Sequence, residues 1–481
     1  MKKRILSILL TLVLCITMVP SGVAMAAEKE TTQSLAATKN FSDWSLNDLI
    51  VGDSYGIYPI TWYTSDMTKP ITGAKLRILT AGVRVKLLSS DCVAASKEKV
   101  YRYKNKLTVQ EVMKAFYEVV SDNTFVPDLG LKNIDYVKFM KDNGIYTGKN
   151  GEQALKDKCS IEQACVIATR LITCIYDKLD AGSKGFFYKT EANGNTVYLL
   201  GSIHMANHDI YPLQNEILKA FNEADALAVE INITNTAGAY DLLNLAAYTD
   251  GTTLKDHVSK ETYEKTVKFA AAYGYPEDVI KMYKPWYLYI SFTSLTMTAN
   301  ASTTEATQGA QLGVDMNFLT KASLSGKQIL EVEGYTTQGK MLDSFSDGLE
   351  EYLLNGTIDE INAMAAGTSD GSSDDLQAML ALWRKGDEKA FQKYTSFEYE
   401  NESMLKEDNT DNTAAYQALM KEFKEKLYTN RDKNMAEYIN QLLTSGEKKT
   451  YFVIVGSGHY VSDHDVIDLL TEKGYTVTQI K

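Results

Sequence analysis

Apolar residues run unbroken from Ile5 to Val19, directly after Lys2, Lys3 and Arg4 and ahead of the small residues Ala24-Met25-Ala26. A basic start, a short apolar run and an A-x-A site form the pattern of a secretory signal peptide over residues 1–26, and the run is short for a membrane span. Residues 27–40 are polar and small and read as a linker. From Phe41 to about Leu179 apolar positions recur with helical period, in stretches opened by Thr72-Gly-Ala-Lys75, Thr108-Val-Gln-Glu111 and Ser160-Ile-Glu-Gln163. The second and third are capping boxes, in which the hydroxyl caps the helix and Glu111 or Gln163 reaches back. Gly-Ile-Tyr precedes two of the three, at Gly56–Tyr58 and Gly144–Tyr146. This recurrence implies one small helical unit copied and packed on itself over 41–182.

The pattern changes after Ala181-Gly-Ser-Lys-Gly185, which reads as a boundary near residue 182. Phe186 to Lys189, a turn at Asn193-Gly-Asn195 and Thr196 to Leu200 predict a β-hairpin. A helix (212–224), a strand (226–231) and a long helical region follow. Another strand (328–332) leads to a second helical region, and the chain closes with a strand (451–455), a helix (465–473) and a strand (476–480). Such alternation over 183–481 predicts an α/β domain with a mixed, largely parallel sheet.

Charge narrows the function classes. Lys plus Arg total 50 and Asp plus Glu 62, giving −12; loss of Lys2, Lys3 and Arg4 with the leader would make it −15. No cluster of Lys and Arg follows the leader, so no nucleic-acid partner is expected. No later segment is apolar enough to span a bilayer, which predicts a secreted or cell-wall-associated mature chain with no transmembrane segment. Cys92, Cys159, Cys165 and Cys174 allow three disulfide pairings in an oxidising compartment, whereas Cys165 and Cys174 on one apolar helical stretch also read as buried thiols.

The candidate chemistry lies at strand ends. Leu199-Leu-Gly-Ser-Ile-His204 and Ile454-Val-Gly-Ser-Gly-His459 share one design, an apolar strand followed by Gly-x-x-His, and their histidines are 459 − 204 = 255 residues apart. In open α/β sheets the carboxyl edge of the strands is where ligands bind. Ala226-Leu-Ala-Val-Glu-Ile231 places Glu230 at the end of a third apolar strand, where a carboxylate is costly unless paired or bound to a cation. Two imidazoles and a carboxylate form a His₂Glu set suited to a divalent metal ion, Mn²⁺, Co²⁺ or Zn²⁺. His208, His257 and His464 read as surface residues. Glu331 and Glu333 close a strand and are expected to diverge, one towards the site. Ser202 and Ser457 read as spacers, because neither stands in Gly-x-Ser-x-Gly.

Two resemblances add to this reading. Phe41-Ser-Asp-Trp44, the Gly-Ile-Tyr turns and the capped helices resemble a degenerate S-layer homology region, which implies docking on secondary cell-wall polymer; Thr72-Gly-Ala-Lys75 stands in place of that family's Thr-Arg-Ala-Glu. Tyr198 to His204, Phe221 to Glu230, Lys284-Pro-Trp286, Gly313-Val-Asp315, Leu330 to Glu333 with Gln338, Trp383 to Asp387 and Gly456 to His459 resemble, in order, the TraB/GumN family. That likeness, which extends to the Tiki proteins, implies an erythromycin-esterase or ChaN-like fold and a metal-dependent peptidase. It implies metal or catalytic roles for His204, Glu230 and His459, and a late catalytic arginine at Arg431, followed here by Asp432. The expected function is an exported metal-dependent hydrolase acting on a peptide or small-molecule substrate. Glu230 would be third ligand or general base, and Arg431 would stabilise an oxyanion. The alternative is a wall-associated protein that binds a peptide or pheromone-like ligand without turnover.

Overall fold

A computed structural model describes residues 40–96, 101–148, 151–299, 308–368, 373–395 and 413–480. The expected signal peptide over 1–26 and all but the last residue of the expected linker over 27–40 lie outside the described residues. The chain forms two compact units. One takes the described residues up to Ser183 together with His208–Leu218; the other takes Lys184–Asn207 and the chain from Lys219 onward.

The first unit is mainly helical, with α1 (Leu46–Tyr55), α2 (Gly73–Leu88), β1 (Val93–Ser96), α3 (Val109–Ser121), β2 (Asn123–Phe125) and α4 (Ile161–Leu179). Helix α4 packs on α1, α2 and α3, and Cys165, Ala168, Leu171, Ile172 and Ile175 on it are fully buried. Both expected capping boxes form, Thr108 with Glu111 and Ser160 with Gln163, and Thr72 accepts a hydrogen bond from the Lys75 N–H. Arg170 reaches from α4 to both carboxylate oxygens of Asp48 on α1, at 2.9 and 2.7 Å. Cys92, Cys159, Cys165 and Cys174, the four cysteines among the described residues, are free thiols.

The stretch that reads as a linker is tied down instead. The Ser183 N–H donates to the Pro212 carbonyl and the Gln214 N–H donates back to Ser183, within the first unit. Lys184 and Gly185 donate to the carbonyls of Arg384 and Trp383, within the second. The chain therefore changes unit between hydrogen-bonded neighbours and re-enters the first at His208. That residue is half-buried, not on the surface. Its Nδ1 lies 3.0 Å from the Ser54 carbonyl and its ring fills the space left by Gly56, where a Cβ would stand 2.6 Å away.

In the second unit β3 (Phe186–Ala192) and β4 (Asn195–Ser202) form the expected hairpin, turned by Asn193 and Gly194, both with positive φ. Helix α5 (Asn215–Glu223), whose residues up to Leu218 belong to the first unit, leads to β5 (Ala226–Val229). Then follow α6 (Thr236–Ala246), α7 (Lys260–Ala272), α8 (Pro285–Ala299), α9 (Val314–Ser325), β6 (Gln328–Glu331), α10 (Gly334–Leu342), α11 (Asp347–Ala365), α12 (Ser373–Lys385), α13 (Glu388–Thr395) and α14 (Thr413–Lys424). A π-helical turn (Glu425–Thr429) joins α14 to α15 (Asn430–Thr444), and β7 (Thr450–Gly456), α16 (Val466–Glu472) and β8 (Thr478–Gln479) close the chain.

The six strands run in the order β6-β5-β7-β4-β3-β8. β6, β5, β7 and β4 are parallel, and β3 opposes both of its neighbours. This is a mixed α/β architecture with a largely parallel sheet. β5 and β7 read as continuous apolar runs because central parallel strands are buried on both faces. A separate helical core gathers Leu242, Trp286, Leu349, Leu354, Ile358, Ile361 and Phe423. Lys284-Pro-Trp286 is a packed helix start: Trp286 is buried, and its Nε1 and the Lys284 Nζ both donate to Asp343 Oδ1. Among the described residues no helix is long and apolar enough to cross a membrane.

Candidate functional site

Three adjacent parallel strands bring their carboxyl ends to one edge. β7 lies between β4 and β5, with Ser202 opposite Gly456 and Val229 opposite Ile454. His204 follows β4 by two residues, Glu230 directly follows β5, and His459 ends a 3₁₀ turn (Ser457–His459) after β7. Gly456 marks where they meet. A Cβ placed on it would lie 3.3 Å from Glu230 Oε1, 3.8 Å from His204 Nε2 and 3.8 Å from His459 Cδ2. A side chain there would enter the space the three groups share and press first on the Glu230 carboxylate. All three are buried, at 5, 2 and 2 % exposure for His204, Glu230 and His459.

Each histidine is held by its own carboxylate. His204 Nδ1 is 2.5 Å from Asp315 Oδ2, and His459 Nδ1 is 2.6 Å from Asp432 Oδ1. Asp315 sits in the first turn of α9, and Gly313 before it lets that turn close on the strand end. A Cβ on Gly313 would be 2.1 Å from the His204 carbonyl, and the Val314 N–H donates to Ile203 O at 3.0 Å. Asp432 sits in the first turn of α15, after the π-helical turn. Such turns insert a residue into the helical register and recur at functional sites. This one sets Tyr428 against the His459 imidazole, with ring centroids 5.5 Å apart, and Arg431 and Asp432 onto adjacent site groups.

Glu230 is clamped. Its Oε1 accepts the Gly456 N–H, and its Oε2 accepts from Arg431 Nη2 at 2.7 Å and from Gln338 Nε2 at 3.2 Å. Arg431 also donates to Glu333, at 2.6 Å from Nη2 and 2.9 Å from Nε, and to the Leu427 carbonyl. Gln338 donates to Glu333 as well, at 2.8 Å. Burial by itself would push the Glu230 carboxyl up. The Arg431 guanidinium, then His459, His204 and the Gly456 N–H, outweigh it and hold the group at about 2. Burial opposes the charge on Arg431, but Glu333 and Glu230 more than restore it.

Glu331 and Glu333 diverge. The strand ends at Glu331, and the chain turns at Gly334 with φ of 77°. Glu333 therefore joins the site, while Glu331 accepts the Asn232 N–H outside it. Ser457 Oγ donates to the Ser202 carbonyl, tying the two glycine turns together at 2.8 Å. Trp383 Nε1 donates to the carbonyl of Gly201, the first glycine of the paired motif. His257 is exposed against Tyr248, and His464 is exposed 3.5 Å from Glu472.

The positioning residues escaped the sequence reading. Asp315 and Gln338 stand within stretches of the family likeness and Asp432 directly after Arg431, but the sequence assigns none of the three a role, and it leaves open which of Glu331 and Glu333 faces the site. Asp315 in the first turn of α9 is an ordinary companion of the helix dipole, and Asp432 within a continuous helical run looks like a solvated charge.

A divalent metal can be weighed against these donors. Among the described residues no group of three His, Cys, Asp or Glu side chains closes to metal-holding geometry as it stands. The donor chemistry does fit: two imidazoles, each with a carboxylate on Nδ1 as metal-binding histidines commonly have, beside one carboxylate oxygen.

An α/β domain with a twinned Gly-x-x-His centre at the carboxyl edge of its parallel strands is thus defined by both fold and site. The chain belongs to the TraB/PrgY/gumN family, whose model matches residues 186–479. It is 28 % identical over 193 residues to the uncharacterized protein YbaP of Escherichia coli strain K12, covering 39 % of this chain and 63 % of YbaP. It is 22 % identical over 309 residues to metalloprotease TIKI2 of Danio rerio, covering 58 % of this chain and 57 % of that protein. TIKI2 of Xenopus tropicalis is 21 % identical over 313 residues, covering 58 and 57 %. The matches span less than two thirds of each of these relatives. No solved structure matches the chain.

Proposed function

We propose that this protein is a metal-dependent hydrolase of peptide bonds. The observation that carries the reading is the meeting of His204, His459 and Glu230 within 4 Å of one glycine position. Charge supports it. Glu230 and Glu333 are answered by the one guanidinium of Arg431, and Asp315 and Asp432 lie on the two histidines, a formal surplus of three negative charges before any charge on the imidazoles, with side chains at most 10 % exposed. Buried charge of one sign is costly unless a cation answers it. Its relatives include proteins named as TIKI metalloproteases, which supports the reading.

His204 and His459 would hold the ion through Nε2, with Glu230 Oε1 beside them. A bound divalent ion lowers the pKa of its water towards neutrality and polarises a carbonyl. Glu230 is held too far down to act as an effective base near neutral pH, which favours ligand over general base. Arg431 keeps Glu230 ionised and oriented; its donors are directed at Glu230, Glu333 and Leu427, which favours that role over oxyanion stabilisation. The basic, apolar and small-residue leader supports action outside the cytoplasm.

The test is a peptide library offered to chelator-stripped protein reloaded with Mn²⁺, Co²⁺ or Zn²⁺. Cleavage that needs one of the ions and disappears in His204→Gln and in His459→Gln is the expected result. Peptide retention without cleavage under all three ions would make it a binding protein instead.

A further inference from the structure

Both strand-end histidines reach the site by the same device, and each is met from behind by a carboxylate from the first turn of a helix. The two contacts nearly match in length, at 2.5 and 2.6 Å, and Asp315 and Asp432 are 7 and 2 % exposed. An ionised carboxylate can only accept, so Nδ1 of each ring must be the donor. A neutral imidazole with its proton on Nδ1 carries its lone pair on Nε2. For His204 that nitrogen faces the Gly456 position.

We propose that Asp315 and Asp432 are positioning residues that lock His204 and His459 in the Nδ1–H form. They would thereby keep the lone pair of each ring on Nε2, the atom that would ligate a divalent cation. The proposal rests on the metal reading above and assigns two residues to it. It also explains two local features. Gly313-Val-Asp315 is one working unit: glycine for close approach, the Val314 N–H to pin the turn to Ile203, and aspartate to hold the ring. The π-helical turn allows consecutive residues to serve different groups, Arg431 the glutamates and Asp432 the histidine.

The test uses the metal-free, ¹⁵N-labelled protein. Long-range ¹H–¹⁵N spectra of the imidazoles under mildly alkaline conditions report which nitrogen carries the proton, and single His→Gln variants assign the five rings. Wild-type His204 and His459 should both be in the Nδ1–H form. In Asp315→Asn and Asp432→Asn the amide can donate to Nδ1, so the facing ring should populate the Nε2–H form while the other histidine stays unchanged. Affinity for Co²⁺ or Zn²⁺ should fall about 10–100-fold in each variant. Wild-type rings with the proton on Nε2 would overturn the proposal, as would Asn variants that keep both tautomer and affinity. The wild-type spectrum decides the first point even if a variant fails to fold. Nδ1–H rings in a wild-type protein that takes up no metal would uphold the positioning role and remove the metalloenzyme reading.

Discussion

Removing one guanidinium would change the sign of the site's response to acid. Arg431 answers both Glu230 and Glu333, and all three side chains are 3 % exposed. Breaking a buried pair from one side leaves an uncompensated charge, which costs about 3–5 kcal/mol. Arg431→Met should therefore lower stability by roughly that amount at neutral pH, as measured by urea unfolding. The pH dependence is diagnostic. In the wild type the Glu230 carboxyl is depressed to about 2, so its contribution is present above the unfolded value near 4.3 and fades as pH falls towards 2. That contribution is about 3 kcal/mol at most. Without Arg431, burial dominates and the carboxyl rises above its unfolded value. The variant should then gain more stability than the wild type on acidification from neutral pH to about 5, because Glu350 and Asp465, which burial pushes up to about 8 and about 7, respond to acid alike in both. A variant that tracks the wild type across that range would show that Arg431 does not set the charge of Glu230. At this scale the sequence was legible where chemistry and strand end coincide, at His204, Glu230 and His459. Arg431 was visible only through family likeness, since a basic residue within a charged helix has no local signature. His208, four residues from His204, looks like a surface residue in sequence. Its partners, Ser54 and Gly56, come from more than 150 residues away.

Glycines separate the elements that merely fold from those that build the site. Gly313 opens α9 against the His204 carbonyl, and an added methyl would lie 2.1 Å from that oxygen, which belongs to backbone and cannot swing away. Gly356 lies within α11 with nothing within 4 Å of its Cβ position. Gly313→Ala should cost about 1–3 kcal/mol as overpacking and lengthen the Asp315–His204 contact. Gly356→Ala should add about 0.4–1 kcal/mol by restricting the unfolded chain. Thermal unfolding of the two variants should thus move in opposite directions; a stabilising Gly313→Ala would mean that α9 can back away from the strand end. The hairpin at Asn193-Gly194, the capping boxes and the apolar strands were readable because local chemistry alone decides them. The π-helical turn was not. Its sequence, Glu425 to Thr429, is ordinary helix former, and only the demand that Tyr428, Arg431 and Asp432 reach the site reveals the extra residue.

The chain changes unit at Ser183–Lys184, beside the boundary read at 182, and its return to the first unit over His208–Leu218 is what local sequence does not show. Ala181 to Gly185 has the composition of a linker, but the first unit is completed by a segment that follows it, His208–Leu218. Within that unit Ile210, Tyr211 and Leu213 are buried, Lys86 Nζ donates to the His208 carbonyl, and Gln214 Nε2 donates to Asp180 Oδ1 at 3.1 Å. Composition registers the glycines and serine; it cannot register that Ser183 exchanges backbone hydrogen bonds with Pro212 and Gln214. A cut at residue 182 should therefore not free two independent pieces. A protease site engineered between Ala181 and Ser183, once cleaved, should yield halves that co-elute in gel filtration under native conditions and separate only in denaturant, because 208–218 remains part of the helical unit. Expressed alone, residues 40–183 should melt at lower temperature than the same unit in the whole chain, and a synthetic peptide spanning 206–219 should raise that temperature in a concentration-dependent way. The measurement that decides is the elution of the nicked protein. Two separate, folded peaks would mean that 208–218 contributes nothing to holding the first unit, and that the sequence boundary at 182 is the physical one.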